Sequence, residues 1–179
     1  KGLAANTAWN SVTMNSISDA SGSATSRALN YTGKDFSVSA TESSIDKGFL
    51  RLADLGPADH KQMALEIYRQ FDPNATAAGI TAADLSAMVN QVGIDRRNIW
   101  ADAKLGGTSI GLQFVTVGDE KGGLDRQTLS LAGSNYRFTG WLQSIDQSFT
   151  RVSLLSPIEL ANFGSEYGMS RMNLSGSYT

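Results

Sequence analysis

The chain has 179 residues, a formal charge of −2, 41% apolar and 18% charged residues, and no cysteine. That length fits one domain with a sizeable core, since globular chains of this size bury about 70% of the surface they expose when unfolded. The missing cysteine excludes a disulfide scaffold, a thiol nucleophile and a thiolate metal site. The slight acidity argues against a nucleic-acid partner, whose affinity rests on Lys and Arg releasing counterions. No run approaches the roughly 20 apolar residues that cross a bilayer, so no membrane span is expected and the chain reads as soluble. Low charge, abundant Ser, Thr, Asn and Gly and an absence of thiols are common among exported bacterial proteins, and place the chain outside the cell or on its surface. It starts at Lys1 with no apolar segment behind it, so a signal peptide or upstream region is expected to have been removed.

The first residues, through "AANTAWNSVTMNSISDASGSATS", are polar and lack a helical period. Residues 1–45 are therefore expected to form a polar, partly extended arm. Inside it, Phe36, Val38 and Ala40 alternate after the Thr32-Gly33 turn signal and predict a strand. Ile45, Phe49 and Leu52 fall at helical spacing and suggest a short helix.

Pro57 and Asp59 open a clear helix, with Met63, Ile67 and Phe71 on one face and Asp72-Pro73 closing it. Thr81 and Asp84 form an acidic capping box for a second helix burying Leu85, Met88, Val89 and Val92, stopped at Gly93. A third helix is expected in "DRRNIWADAKL", capped by Asp95 and ended by Gly106 and Gly107.

From Gly107 the period becomes two, and Ile110, Leu112 and Phe114 lead through the turn "GDEKGG" into "LDRQTLSLA", a hairpin. Tyr136 to Leu155 fits either strand or helix, with Thr, Ser and Gly tilting it toward strand. Ser156, Pro157 and Glu159 mark a late capped helix. No internal repeat is read from the chain. The expected fold is a single α+β domain over residues 46–179, with a central cluster of short helices and an antiparallel C-terminal sheet, preceded by the polar N-terminal arm.

Three stretches carry candidate chemistry. In "FDPNATAAGITAADL", Asp72, Asn74, Thr76 and Asp84 sit near the spacing of a calcium loop, but Ala77 stands where glycine belongs and the closing carboxylate is an Asp one place late. Turn chemistry and the Thr81 cap explain the same letters. "GTSIG" around Ser109 matches a nucleophile elbow, yet a helix is expected before it and a strand after it, and no histidine follows. His60, the one histidine, lies beside Asp59 in the first turn of a helix; it is a candidate general base or a plain helix residue. No cofactor is expected beyond weak calcium. The leading reading is a non-catalytic, exported interaction or assembly protein, acting on a protein partner or on copies of itself. The alternatives are a secreted hydrolase or effector enzyme using His60 or Ser109, and a weak calcium-binding helix-loop-helix module.

Overall fold

A computed structural model of the chain describes residues 9–72, 74–149 and 151–179, with only the backbone of Trp9 and Asn10. Eight strands follow one another in the sheet in chain order: β1 (Trp9–Ser18), β2 (Ser23–Thr32), β3 (Phe36–Ile45), β4 (Asp95–Leu105), β5 (Thr108–Asp119), β6 (Gly122–Ala132), β7 (Tyr136–Ile145) and β8 (Met169–Tyr178). Every neighbouring pair is antiparallel. Helices α1 (Pro57–Tyr68) and α2 (Ala82–Met88) lie between β3 and β4, and α3 (Pro157–Phe163) lies between β7 and β8.

The sheet therefore dominates, and the α+β expectation with a central helix cluster is corrected. Residues 9–45, expected as a polar N-terminal arm, include three full strands of the sheet; residues 1–8 of that arm lie outside the described residues. Backbone pairing supplies what the side chains of β1 to β3 lack in hydrophobic period, because each ladder satisfies donors and acceptors whatever the residue type. "DRRNIWADAKL" is strand β4 and not a helix. Its side chains alternate, with Arg96 and Asn98 buried and Arg97 and Ile99 exposed. It is hydrogen-bonded to strands on both sides, which overrides local helix propensity. Asp95, expected as a helix cap, accepts a hydrogen bond from the Ser44 hydroxyl across the sheet.

Other elements agree more closely. α1 begins at Pro57, α2 carries the Thr81/Asp84 box and α3 the Ser156/Glu159 box. The ambiguous Tyr136 to Leu155 is β7 followed by a 3-10 turn at Val152–Leu154. The short helix expected around Ile45 to Leu52 is the end of β3 and a matching 3-10 turn at Leu52–Asp54.

That match is one sign of an internal repeat, which the sequence reading did not find. Asp19 and Asp119, Gly22 and Gly122, Gly33 and Gly133, Ile45 and Ile145, Asp46 and Asp146, Phe49 and Phe149, Arg51 and Arg151, and Pro57 and Pro157 stand one hundred positions apart. Their contacts repeat as well. The Asp19 carboxylate accepts from the Gly22 amide at 3.0 Å, and Asp119 from Gly122 at 3.2 Å. The Asp46 carboxylate accepts from the Ser23 amide at 2.8 Å, and Asp146 from Gly123 at 3.0 Å. The Gly93 amide donates to the Ile45 carbonyl, and Gly168 to Ile145. Each repeat is thus three strands, a 3-10 turn, helix and closing strand: β1 to β4, then β5 to β8. The first repeat carries an insertion, which includes α2 and the stretch "FDPNATAAGITAADL".

Helices α1 and α3 pack against the sheet, and α2 packs against them. The largest core cluster joins Val115 and Val117 of β5, Leu124, Ile145, Phe149, Val152, Leu155 and Phe163 of the second repeat with Ile94 of the first. A smaller cluster, Ile45, Phe49 and Leu52, is packed against Ala24, Leu55, Met63 and Val92. A third, Ala64, Ile67 and Met88, holds α1 to α2.

Candidate functional site

The residues singled out for chemistry are dispersed. His60 is buried and its Nε2 lies 2.7 Å from the Leu52 carbonyl. A carbonyl only accepts, so Nε2–H is the donor and the ring ties α1 to the 3-10 turn before it. Asp59 sits in a recess beneath α1, whereas Ser109 lies on β5 in a separate groove with Lys34, Asp102 and Ser130. Neither His60 nor Asp59 lines that groove.

Of the four calcium candidates, Asp72 and Asp84 have local duties. The Asp72 carboxylate accepts from the Asn74 amide at 2.9 Å, making an Asx turn. Asp84 is wholly buried, and its Oδ2 accepts from the Thr81 amide at 2.8 Å, the Thr81 hydroxyl at 2.6 Å and the Tyr68 hydroxyl at 2.9 Å. Burial and that bond to Asp84 push the Tyr68 hydroxyl above its ordinary range. Thr76 precedes a 3-10 turn at Ala77–Gly79 without a side-chain cap bond. Among the described residues, no group of three or more His, Asp or Glu side chains is arranged to hold a metal ion, and no helix is long and apolar enough to cross a membrane.

A different set of residues is brought together where the repeats meet. Arg96 of β4 donates through Nε to Glu159 Oε1 at 2.7 Å and through Nη2 to Oε2 at 3.1 Å. Its Nη2 also donates to Gln91 Oε1. Gln91 in turn donates to the carbonyls of Ala87 at 2.9 Å and Leu154 at 2.8 Å. Glu159 Oε2 receives the Ser156 amide and hydroxyl, each at 2.9 Å. Burial by itself raises the Glu159 carboxyl, but the Arg96 charge and hydrogen bond, with those from Ser156, hold it below the usual range. Arg151 adds a second clasp by donating to the carbonyls of Val92 and Asn90. The junction therefore has four parts: a β4·β5 ladder, Ile94 inserted into the second core, the Arg96–Glu159 pair, and Arg151 on the loop carbonyls. By its sequence pattern Glu159 is a helix cap only. The signal that could have identified its second role is the one-hundred-residue correspondence with Asp59.

Among the described residues, β1 and β8 pair on one side only. From Ser11 to Ser18, and along the whole of β8, the side chains are exposed. Val12 and Met14 on β1, and Met172 and Leu174 on β8, point apolar groups into solvent. The face opposite the helices is open too, with Ile99, Leu112, Phe114 and Leu142 exposed along it. Such edges are templates for pairing with another strand.

Comparison with known proteins returned no matching family model, no curated relative and no similar solved structure.

Proposed function

We propose that this chain is a non-catalytic assembly module that acts through protein-protein contacts, with strand addition as its mode of binding. The observation that supports this most directly is the pair of long, exposed edge strands, β1 and β8, each carrying apolar side chains beside a row of backbone donors and acceptors that no other strand among the described residues pairs with. Strand addition draws affinity from those main-chain groups and specificity from the alternating side chains. The Ser-, Thr- and Asn-rich composition fits a role outside the cell, where the absence of thiols imposes no cost.

The test is sedimentation velocity across a concentration series on the chain and on variants with proline placed where the backbone N–H faces the open edge, Ser16→Pro and Met172→Pro. Proline removes one ladder donor and is tolerated on an edge far better than within a sheet. Concentration-dependent association that weakens in the proline variants supports the reading. A chain that stays monomeric throughout and binds no added edge-strand peptide overturns it.

A further inference from the structure

We infer that the partner is a second copy of this chain, joined head to tail, with β8 of one copy pairing with β1 of the next in the register that β4 and β5 already use. This rests on the assembly reading above and specifies its partner. The two edges of the described sheet are the two separated halves of its own internal junction.

Consider first the end that β8 presents. The ladder aligns β8 with β4, because Arg96 pairs with Ser43 on β3, and Arg171 pairs with Gln143 on β7 at the equivalent position. On that alignment Met169 corresponds to Ile94, Arg171 to Arg96, Asn173 to Asn98 and Leu174 to Ile99. Glu166 corresponds to Gln91, since Gly168 and Gly93 make the same bond to the preceding strand. The correspondence extends to contacts: Arg171 pairs with Glu166 as Arg96 bonds Gln91. The Arg96 triad has a third member, Glu159, supplied by the next repeat. Among the described residues Arg171 has no counterpart of it.

The other end supplies that counterpart. Asp59 of α1 stands where Glu159 stands in α3. It lines a recess of about 90 Å³ with Asn15, Ile17, Ala24, Ile45 and Met63. These are the equivalents of Val115, Val117, Leu124, Ile145 and Phe163, the residues that close around Ile94 in the second repeat. The first repeat lacks such an insert. Its Ile17 is 38% exposed where Val117 is 0% exposed, and the unused insert, Met169, is 49% exposed where Ile94 is 0% exposed. Arg51 also lies exposed at the position from which Arg151 grips the carbonyls of Val92 and Asn90, whose equivalents on the other end are those of Tyr167 and Ser165.

Docking one end on the other then repeats the junction part by part. Met169 enters the recess, Arg171 reaches Asp59, and Arg51 reaches the loop carbonyls before β8. The strand register places Arg171 opposite Ile17, Met172 opposite Ser16 and Leu174 opposite Met14, as Arg96, Arg97 and Ile99 lie opposite Val117, Thr116 and Phe114. The interface is heterologous, so copies add in one direction into rings or filaments. Added units stack through nearest-neighbour contacts, as in repeat proteins.

Two experiments on the full chain test this. Because there is no native cysteine, Met14→Cys and Leu174→Cys report the register directly. Under oxidising conditions a mixture of the two single variants is expected to give a disulfide-linked pair, while neither variant does so alone. For the charge contact, Arg171→Asp is expected to weaken association by about tenfold, as is Asp59→Arg, and mixing the two is expected to restore association, because both contacts between unlike copies then pair opposite charges. Both sites are solvent-accessible, and a thermal melt of each variant verifies folding. Association with disulfides between like positions, or association indifferent to both charge reversals, overturns the head-to-tail junction while leaving an assembly role standing. A chain that remains monomeric at every concentration, yet captures an added edge-strand peptide, overturns self-assembly alone; absence of both overturns this inference and the assembly reading together.

Discussion

Arg96 and Glu159 form a two-pronged ion pair that is almost wholly enclosed by protein and joins a strand of the first repeat to a helix of the second. Two buried charges are costly to desolvate, and the pair persists because Gln91 and Ser156 satisfy their remaining hydrogen-bonding capacity. Removing one partner alone leaves the other charge uncompensated. Glu159→Ala is therefore expected to destabilise the fold by about 3–5 kcal/mol. The double replacement Arg96→Met/Glu159→Leu is expected to cost less than the single one, because no orphan charge remains. Urea unfolding of the three proteins checks the order.

The same pair sets part of the acid limit. The folded Glu159 carboxyl lies below its ordinary value of 4.5. A depressed acid pKa contributes stability that is fully present above the unfolded value and is lost as pH falls through the folded one. Stability is thus expected to be insensitive to this group from neutrality down to the ordinary Glu range and to decline below it. In the Arg96→Met/Glu159→Leu protein that decline should be shallower, as read from urea midpoints at successive pH values. An acid limb of unchanged slope would assign the decline to other carboxylates.

Apolar positions on the sheet of the two repeats should respond unequally. Leu124 is fully buried, and Leu124→Ala is expected to cost about 2–5 kcal/mol. Ile17, on the open edge, is partly exposed, and Ile17→Ala in the dilute monomer is expected to change stability by only about 0.5 kcal/mol. If copies join as inferred, the Ile17→Ala penalty grows with protein concentration, since binding to the folded state adds to apparent stability.

His60 is expected to matter for stability. Replacing it with Phe removes one of the two donors to the Leu52 carbonyl, which keeps the Leu55 amide, at a cost of about 0.5–1.5 kcal/mol. Thermal melts of His60→Phe and His60→Gln separate the ring's hydrogen bond from its bulk.

In the stretch "FDPNATAAGITAADL" the expected behaviour follows from the cap. Thr81→Ala removes an oxygen that accepts from the Asp84 amide and a hydroxyl bonded to the Asp84 carboxylate, and should cost about 0.5–2 kcal/mol with or without calcium. Calorimetric titration of the chelator-treated protein with calcium is expected to show no saturable heat. Saturable heat abolished by Asp72→Ala would instead establish an ion site there.

What the sequence alone determined was local. Pro57, the Thr81/Asp84 box and the Ser156/Glu159 box announce their helices because caps and fixed φ act within a single turn. The alternation of Ile110, Leu112 and Phe114 likewise identifies β5 as a strand, although these side chains lie on the open face and Val115 and Val117 on the covered one. The tertiary structure decided the rest. Strand β4 carries Arg96 and Asn98 inward, so its pattern reads as polar until Glu159 and Gln113 supply partners distant in the chain. The first three strands are held by backbone ladders that leave little trace in side-chain hydrophobicity. The repeat was hidden for a related reason. The ladder constrains backbone pairing at each position, so the residues that keep the same side chain lie mostly in turns, such as Asp46 and Asp146 or Phe49 and Phe149. The edges are visible only in the folded sheet, because whether Ile17 or Met169 is covered depends on which strand lies beside it.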